Sequence, residues 1–249
     1  MLENSKVPAL FKKSLPFFKS SLPSKAWSYL DFHLHTDDTD GLITTDFLKG
    51  FLKNKPHLIS ITDHNSINSC LELYSTPGLN IIPGIEVGCR DGFEFLIYFE
   101  KIEDLEKFYI NSVEPVKHSY KIARTNAAYP YFLKEARKYD SFIVIPHIAG
   151  VAQKNYLQNK DYIHQVTAQV DGIETYNHSI PRSRNRKAKR VREIRGKFAT
   201  FGSDAHIEQE VISFYKFQNS SFSKLAYFKK NIFNICAVLL LFGKHLHLY

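Results

Sequence analysis

The sequence predicts an α/β fold: a parallel sheet or barrel with helices outside. Three observations carry that expectation. From Tyr29 onward, short β-branched or aromatic runs alternate with amphipathic helical stretches, which is the pattern of βα units. Each apolar run ends in a cluster of polar residues, as barrel strands do where they meet a binding rim. A chain of 249 residues can bury one sizeable core, so residues 29–249 read as a single domain.

Taken in order, residues 1–28 form an irregular basic leader. Glu3 is its one acid, and Pro8, Pro16 and Pro23 block a long helix. The leader lacks the uninterrupted apolar stretch of a secretory signal. Tyr29 to His35 is expected as a strand, Thr45 to Lys53 as a helix capped by Thr44 or Thr45, and His57 to Thr62 as a strand. Ser66 to Tyr74 reads as a helix, Leu79 to Val87 and Phe93 to Phe99 as strands, and Glu103 to Ile110 as a helix. A long helical stretch is expected from Ser119 to Tyr139, interrupted near Pro130. Ser141 to Pro146 is an apolar strand running into His147, followed by a helix from Lys160 to Gln169 and a strand from Val170 to Tyr176. Arg182 to Arg195 is a basic helix, and Phe198 to Ser203 is a strand ending at Asp204. Beyond His206, Ser221 to Asn234 reads as a closing helix, and the apolar run Ile235 to Phe242 is far shorter than the ~20 residues of a membrane span.

Bulk composition narrows the class. Hydrophobic residues at 44% and charged residues at 23% are those of a globular chain and exclude disorder and a polytopic membrane protein. The formal charge of +8 favours anionic partners, although its excess is concentrated in the leader and in Arg182 to Lys197, where a solvated helix face is the simpler explanation. Cys70, Cys89 and Cys236 form no CxxC pair and no even disulfide framework, which points to a reducing, cytoplasmic setting and excludes a zinc finger.

The chemistry gathers at the strand ends. His33 and His35 are one residue apart on an extended segment, so their rings point to the same side and form a bidentate imidazole clamp. In parallel α/β architectures the carboxyl ends of the strands converge, and here they carry His33/His35, Asp63/His64, Glu86, His147 and Asp204/His206. Imidazole mixed with carboxylate oxygen suits a hard or borderline divalent ion such as Zn, Mn, Fe or Mg, and the absence of a cysteine cluster argues against a purely structural zinc.

Six motifs in order resemble the PHP (polymerase and histidinol phosphatase) family of metal-dependent phosphoesterases. They are Asp31-Phe-His33-Leu-His35-Thr with Asp40-Gly41, Ile61-Thr-Asp63-His64-Asn65, Pro83-Gly-Ile-Glu86, Ile145-Pro-His147, Gly172-Ile-Glu174-Thr-Tyr-Asn177 and Gly202-Ser-Asp204-Ala-His206. The resemblance implies a distorted seven-stranded (β/α) barrel holding two or three divalent ions, Zn, Mn or Fe. Carried over, His33, His35, Glu86 and Asp204 would surround one ion, Glu86 and His147 would reach a second, and Asp40, His64 and His206 would hold a third, with Glu86 as the bridge. It implies hydrolysis of a small phosphorylated metabolite or nucleotide by a metal-bound hydroxide. Adjacent divalent ions suit such a displacement because they stabilise both attacking and leaving oxygens.

The chain departs from many relatives on the strand after Glu86. Where they carry a further histidine, it reads Phe95-Leu96-Ile97-Tyr98-Phe99, which leaves the second ion short of ligands and brings His178 forward as a helper. Asp63 is a candidate to orient the His64 ring or to cap the following helix, and Glu174 and Asn177 are candidates for supporting or substrate contacts. Arg90 and His178 are candidate substrate contacts, Arg90 because a guanidinium fork matches phosphate. Arg182, Arg184 and Arg186 offer an anion or nucleic-acid contact. Two alternatives stand beside the phosphoesterase: a nuclease or end-processing enzyme, and a non-catalytic metal-binding module. No membrane partner is expected.

Overall fold

The computed structural model describes residues 27–118, 121–220 and 223–245. Nearly all of the predicted leader, together with Ser119, Tyr120, Ser221 and Phe222, lies outside the described residues. The described residues contain seven strands: β1 (Tyr29–Asp31), β2 (His57–Ile59), β3 (Gly84–Gly88), β4 (Glu94–Phe99), β5 (Ser141–Ile145), β6 (Gly172–Asn177) and β7 (Phe198–Gly202). The helices are α1 (Thr45–Leu52), α2 (Asn68–Tyr74), α3 (Ile102–Phe108), α4 (Tyr129–Ala136), the single turn α5 (Tyr156–Asn159), α6 (Ile163–Gln169), α7 (Arg182–Arg195), α8 (Glu208–Asn219) and α9 (Lys224–His245).

Sheet direction corrects the parallel expectation. The β1–β2, β5–β6 and β6–β7 pairs are parallel, but β4 runs antiparallel to both β3 and β5. The reason lies in Asp91-Gly92, a turn-forming pair between two apolar runs, where Gly92 takes φ +86° and reverses the chain. The strands form a two-stranded sheet, β1-β2, and a five-stranded sheet in the order β3-β4-β5-β6-β7. Among the described residues no continuous ladder closes them into a barrel. Single bridges link the two sheets instead, Leu34 to Ala205 at one edge and Ile59 to Ile81 and His64 to Glu86 at the other.

Local chemistry explains the boundaries. Thr44 caps α1, its hydroxyl accepting from Phe47 N at 3.1 Å. Helix α4 starts at Tyr129, and residues 121–128 of the expected helical stretch are turn and loop, because Pro130 fits a helix's first turn but not its interior. Gly196, at φ +62°, ends α7 in the left-handed conformation. Beyond His206 the sequence expectation missed α8, and from Lys224 onward the closing helix and apolar run are one helix, α9. No helix among the described residues is long and apolar enough to cross a membrane.

The core is continuous across both sheets. β4 is buried at every position, with Phe95, Ile97 and Phe99 facing the helices and Glu94, Leu96 and Tyr98 on the opposite, site-bearing face. Tyr29 seals the bottom, edge-on to Phe51 and Phe214. Its hydroxyl donates to Asp31 at 2.7 Å, and Asp31 Oδ1 accepts from Ser203 N at 2.8 Å. A buried carboxylate thus joins the first strand to the segment after the last, and burial raises Asp31 to about 6.

Candidate metal centre

Five of the expected strand ends converge on one buried cluster. His33 Nε2 lies 3.1 Å from His35 Nε2, 3.4 Å from Glu86 Oε2 and 3.3 Å from Asp204 Oδ1. His35 Nε2 lies 3.2 Å from Glu86 Oε2 and 3.4 Å from Asp204 Oδ1. Neighbouring donors around an ion bound at ~2.0–2.2 Å are about 3 to 3.5 Å apart, so these separations match the edges of a coordination shell. On the other side of His35, His64, Asp40 and His206 gather: Asp40 Oδ2 is 3.6 Å from His64 Nε2 and 3.5 Å from His206 Nε2. The rings of His35 and His206 stack at 4.4 Å. Glu86 stands between these groups, with Oε2 also 3.2 Å from His64 Nδ1 and Oε1 3.3 Å from His147 Nε2.

The set around His147, expected for the second ion, is fuller than the sequence reading allowed. Glu94 Oε2 lies 3.3 Å from His147 Nε2, so Glu86, Glu94 and His147 form a third ligand-like set. Sequence reasoning passed over Glu94 because it looked only at the carboxyl ends of parallel strands. In an antiparallel strand the amino end reaches the same rim, and the signal was the Asp91-Gly92 hairpin turn. The Glu94 carboxylate is ion-paired with Arg124 and, at 3.3 Å, with Lys154. Lys154, also unassigned from sequence, stands beside His147 and Asp204.

The supporting contacts are specific. His33 Nδ1 donates to Glu174 Oε1 at 2.9 Å, which fixes the ring with Nε2 directed toward the cluster. Glu174 is itself held by His147 N at 2.8 Å and Asn177 Nδ2 at 3.0 Å, and the same amide donates to Asp204 Oδ2 at 2.9 Å. Asp63 neither orients His64 nor caps α2. Its carboxylate accepts from Thr36 N at 2.7 Å, Thr36 Oγ1 at 2.6 Å and Thr39 Oγ1 at 2.9 Å, and so pins the loop that carries Asp40. Asn65, His147 and Asp204 all adopt positive φ, a local cost concentrated where strands turn into the site.

Electrostatics and unpaired atoms fit a cation. Burial would raise Glu86, but His64, His33 and His147 hold it well below the usual carboxylate range. Asp204 is likewise held low against burial by His33, His35 and Lys154. Burial opposes protonation of His35, yet Asp204, Glu86 and Asp40 outweigh it and raise the ring to about 10, whereas burial takes His64 down to about 4. The carboxylates are therefore ionised, and the protons on their imidazole neighbours are what a bound metal would replace. His35 Nδ1, His64 Nδ1, Glu86 Oε2, His147 Nδ1 and Asp204 Oδ1 are buried without a hydrogen-bond partner. Such a concentration of orphaned donors and acceptors in one place fits divalent ions.

The two expected substrate contacts fare differently. Arg90 is exposed, its backbone N donating to Ala127 O at 2.7 Å, and no contact among the described residues joins its side chain to the cluster. His178 has its ring bonded to Tyr176 Oη at 2.9 Å and Ser213 Oγ at 3.1 Å and packed on Phe214, which holds it in the seam with α8. Burial lowers it to about 3 from an ordinary 6.5. A neutral buried histidine stabilises the fold above pH 6.5 and loses that contribution as pH falls toward 3. A His178→Gln variant is expected to show about 2 kcal/mol less loss of stability between pH 7.5 and pH 5 than the parent, read by urea unfolding. Equal losses in the two proteins would contradict the burial argument.

No protein-family model and no curated protein matches the sequence. Solved structures do match. A protein of Bifidobacterium adolescentis provisionally named a metal-dependent phosphoesterase aligns with TM-score 0.56 at 16% identity, over 75% of this chain and 89% of that one. A two-domain protein of Bacteroides vulgatus, containing a predicted PHP-like metal-dependent phosphoesterase, aligns with TM-score 0.51 at 20% identity, over 71% of this chain and 51% of that one. An amidohydrolase of Chromobacterium violaceum, solved with sulfate and no metal, aligns with TM-score 0.54 at 15% identity, over 73% and 88%. At these identities the likeness is one of fold, and the fold is PHP-like.

Proposed function

We propose that this PHP-fold protein is a metal-dependent hydrolase of the PHP family that cleaves a phosphate ester. The observation that carries the reading is the buried set of His33, His35, Glu86 and Asp204, flanked on one side by Asp40, His64 and His206 and on the other by Glu94 and His147. We read these as ligands for two or three divalent ions, Zn, Mn or Fe. When bound, such ions neutralise phosphate charge and acidify water. The chain's own groups do the rest. Glu86 joins the groups through its two oxygens, Glu174 and Asn177 hold His33 and Asp204 in place, and the Lys154 ammonium offers a cation to a phosphate oxygen beside His147. The three cysteines are unpaired, which supports a cytoplasmic setting.

The test is elemental analysis of the purified protein followed by turnover on a panel of phosphomonoesters, phosphodiesters and nucleotides. Bound divalent metal is expected, with activity lost on chelation and restored by Zn, Mn or Fe. A metal-replete protein inactive across the panel would refute the reading. A nuclease activity is the second reading, favoured by a cavity on α7 lined by Arg182, Arg186, Lys189 and Arg192 beside Tyr176 and Phe217. It requires salt-sensitive oligonucleotide binding with metal-dependent trimming of ends.

A further inference from the structure

The cluster opens into a cavity of about 380 Å³ whose lining combines polar groups with aliphatic side chains. His147, Asp204 and Lys154 line it together with Ser179 and Asn234, and Val151, Ile235, Val238 and Leu239 supply its aliphatic surface. Most of that surface belongs to α9, which two hydrogen bonds seat over the site: Asn234 Nδ2 to Ser179 O at 2.8 Å and Lys230 Nζ to Ile180 O at 3.2 Å. Ile235, Val238 and Leu239 are 62 to 65% exposed while lining the cavity, so its mouth opens onto an apolar surface. The lining contains no Phe, Tyr, Trp or Arg on which a base could stack, so the cavity is poorly suited to a nucleotide. Its composition suits a ligand with an anionic head and an aliphatic body.

We infer that the substrate is a phosphate ester of an aliphatic alcohol, its phosphate beside Lys154, His147 and Asp204 and its chain along the α9 wall. This rests on the phosphoesterase reading and adds the substrate class. The reaction is simple hydrolysis: water oxygen joins phosphorus, the ester P–O bond breaks, and a proton from the water passes to the departing alkoxide, giving inorganic phosphate and the alcohol.

Two series on the metal-loaded protein test it. Binding of non-hydrolysable n-alkylphosphonates from methyl to octyl, measured by calorimetry, is expected to tighten about fourfold per methylene until the chain leaves the cavity. Turnover of the matching n-alkyl phosphates should rise in kcat/KM with the same slope. Val238→Asp and Leu239→Asp should flatten both slopes, with circular dichroism confirming the fold. The parent's own slope stands as the test should either variant fail to fold.

Turnover of phosphate esters without dependence on chain length overturns this inference and leaves the phosphoesterase reading intact. Phosphonate binding that tightens with chain length, with no ester turned over, overturns the phosphoesterase reading and leaves the ligand class. A final arm supplies phosphatidic acid in phosphatidylcholine vesicles. Phosphate released there supports an ester drawn from a bilayer, release only from soluble alkyl esters supports a free amphiphile, and release from neither while other phosphate esters are turned over overturns the substrate class.

Discussion

Glu86→Gln is expected to strip the bound metal and to lower turnover about 10³-fold while the protein remains folded. The carboxylate has one oxygen against His33, His35 and His64 and the other against His147, so every ligand-like group touches or adjoins it. The amide keeps the shape, but it removes the negative charge and puts a hydrogen-bond donor where a lone pair faced the ion. Several kcal/mol of transition-state stabilisation lost with the metal corresponds to about three decades of rate. Metal content by elemental analysis, turnover on the best ester of the panel and far-ultraviolet circular dichroism check the three parts separately. Undiminished metal and rate would remove Glu86 from the centre. His35→Ala separates a catalytic centre from a merely structural one: the first loses turnover with the fold kept, the second loses stability before anything else.

Gly202→Ala is expected to cost about 3 kcal/mol and, through His33, to weaken metal binding as well. A Cβ at Gly202 would stand 2.3 Å from His33 Cβ, 2.7 Å from its backbone N and 3.0 Å from its Cα. The contact is mostly with backbone, which has little room to move. Asp204 N donates to His33 O at 2.7 Å, and Ser203 Oγ donates to the same carbonyl at 3.2 Å, so the two segments are tied at this point. For a chain of this size, 3 kcal/mol lowers the melting temperature by roughly 6–12 °C. Thermal unfolding and metal content of the variant provide the check, and a parent-like Tm with full metal would show that the close approach is not required.

Much of the site was legible because its residue types are rare in such spacing. Two histidines at i and i+2 on an extended segment can only face the same way, and Glu86, His147 and Asp204 each follow an apolar run that could be recognised as a strand. The basic helix Arg182–Arg195 and the Thr44 cap were legible for the same reason, since charge pattern and capping chemistry are local properties. Glu94 and Lys154 were not. Glu94 becomes a neighbour of His147 only through the reversal of β4, and Lys154 only through the fold of the segment after His147. For His178, a histidine at a strand end reads as a site residue, and only the packing of α8 and its Ser213 shows where the ring is held.

The sequence by itself determined the ligand types, their order and the alternation that brings them to strand ends, because periodicity and side-chain chemistry are written residue by residue. Tertiary structure alone decided which carboxylate stands beside His147, which oxygens are anchored and which are left bare, and that α9 lies over the mouth of the site. Those are separations between residues distant in the chain, set by strand direction and by the packing of helices on the sheet, and no local pattern carries them.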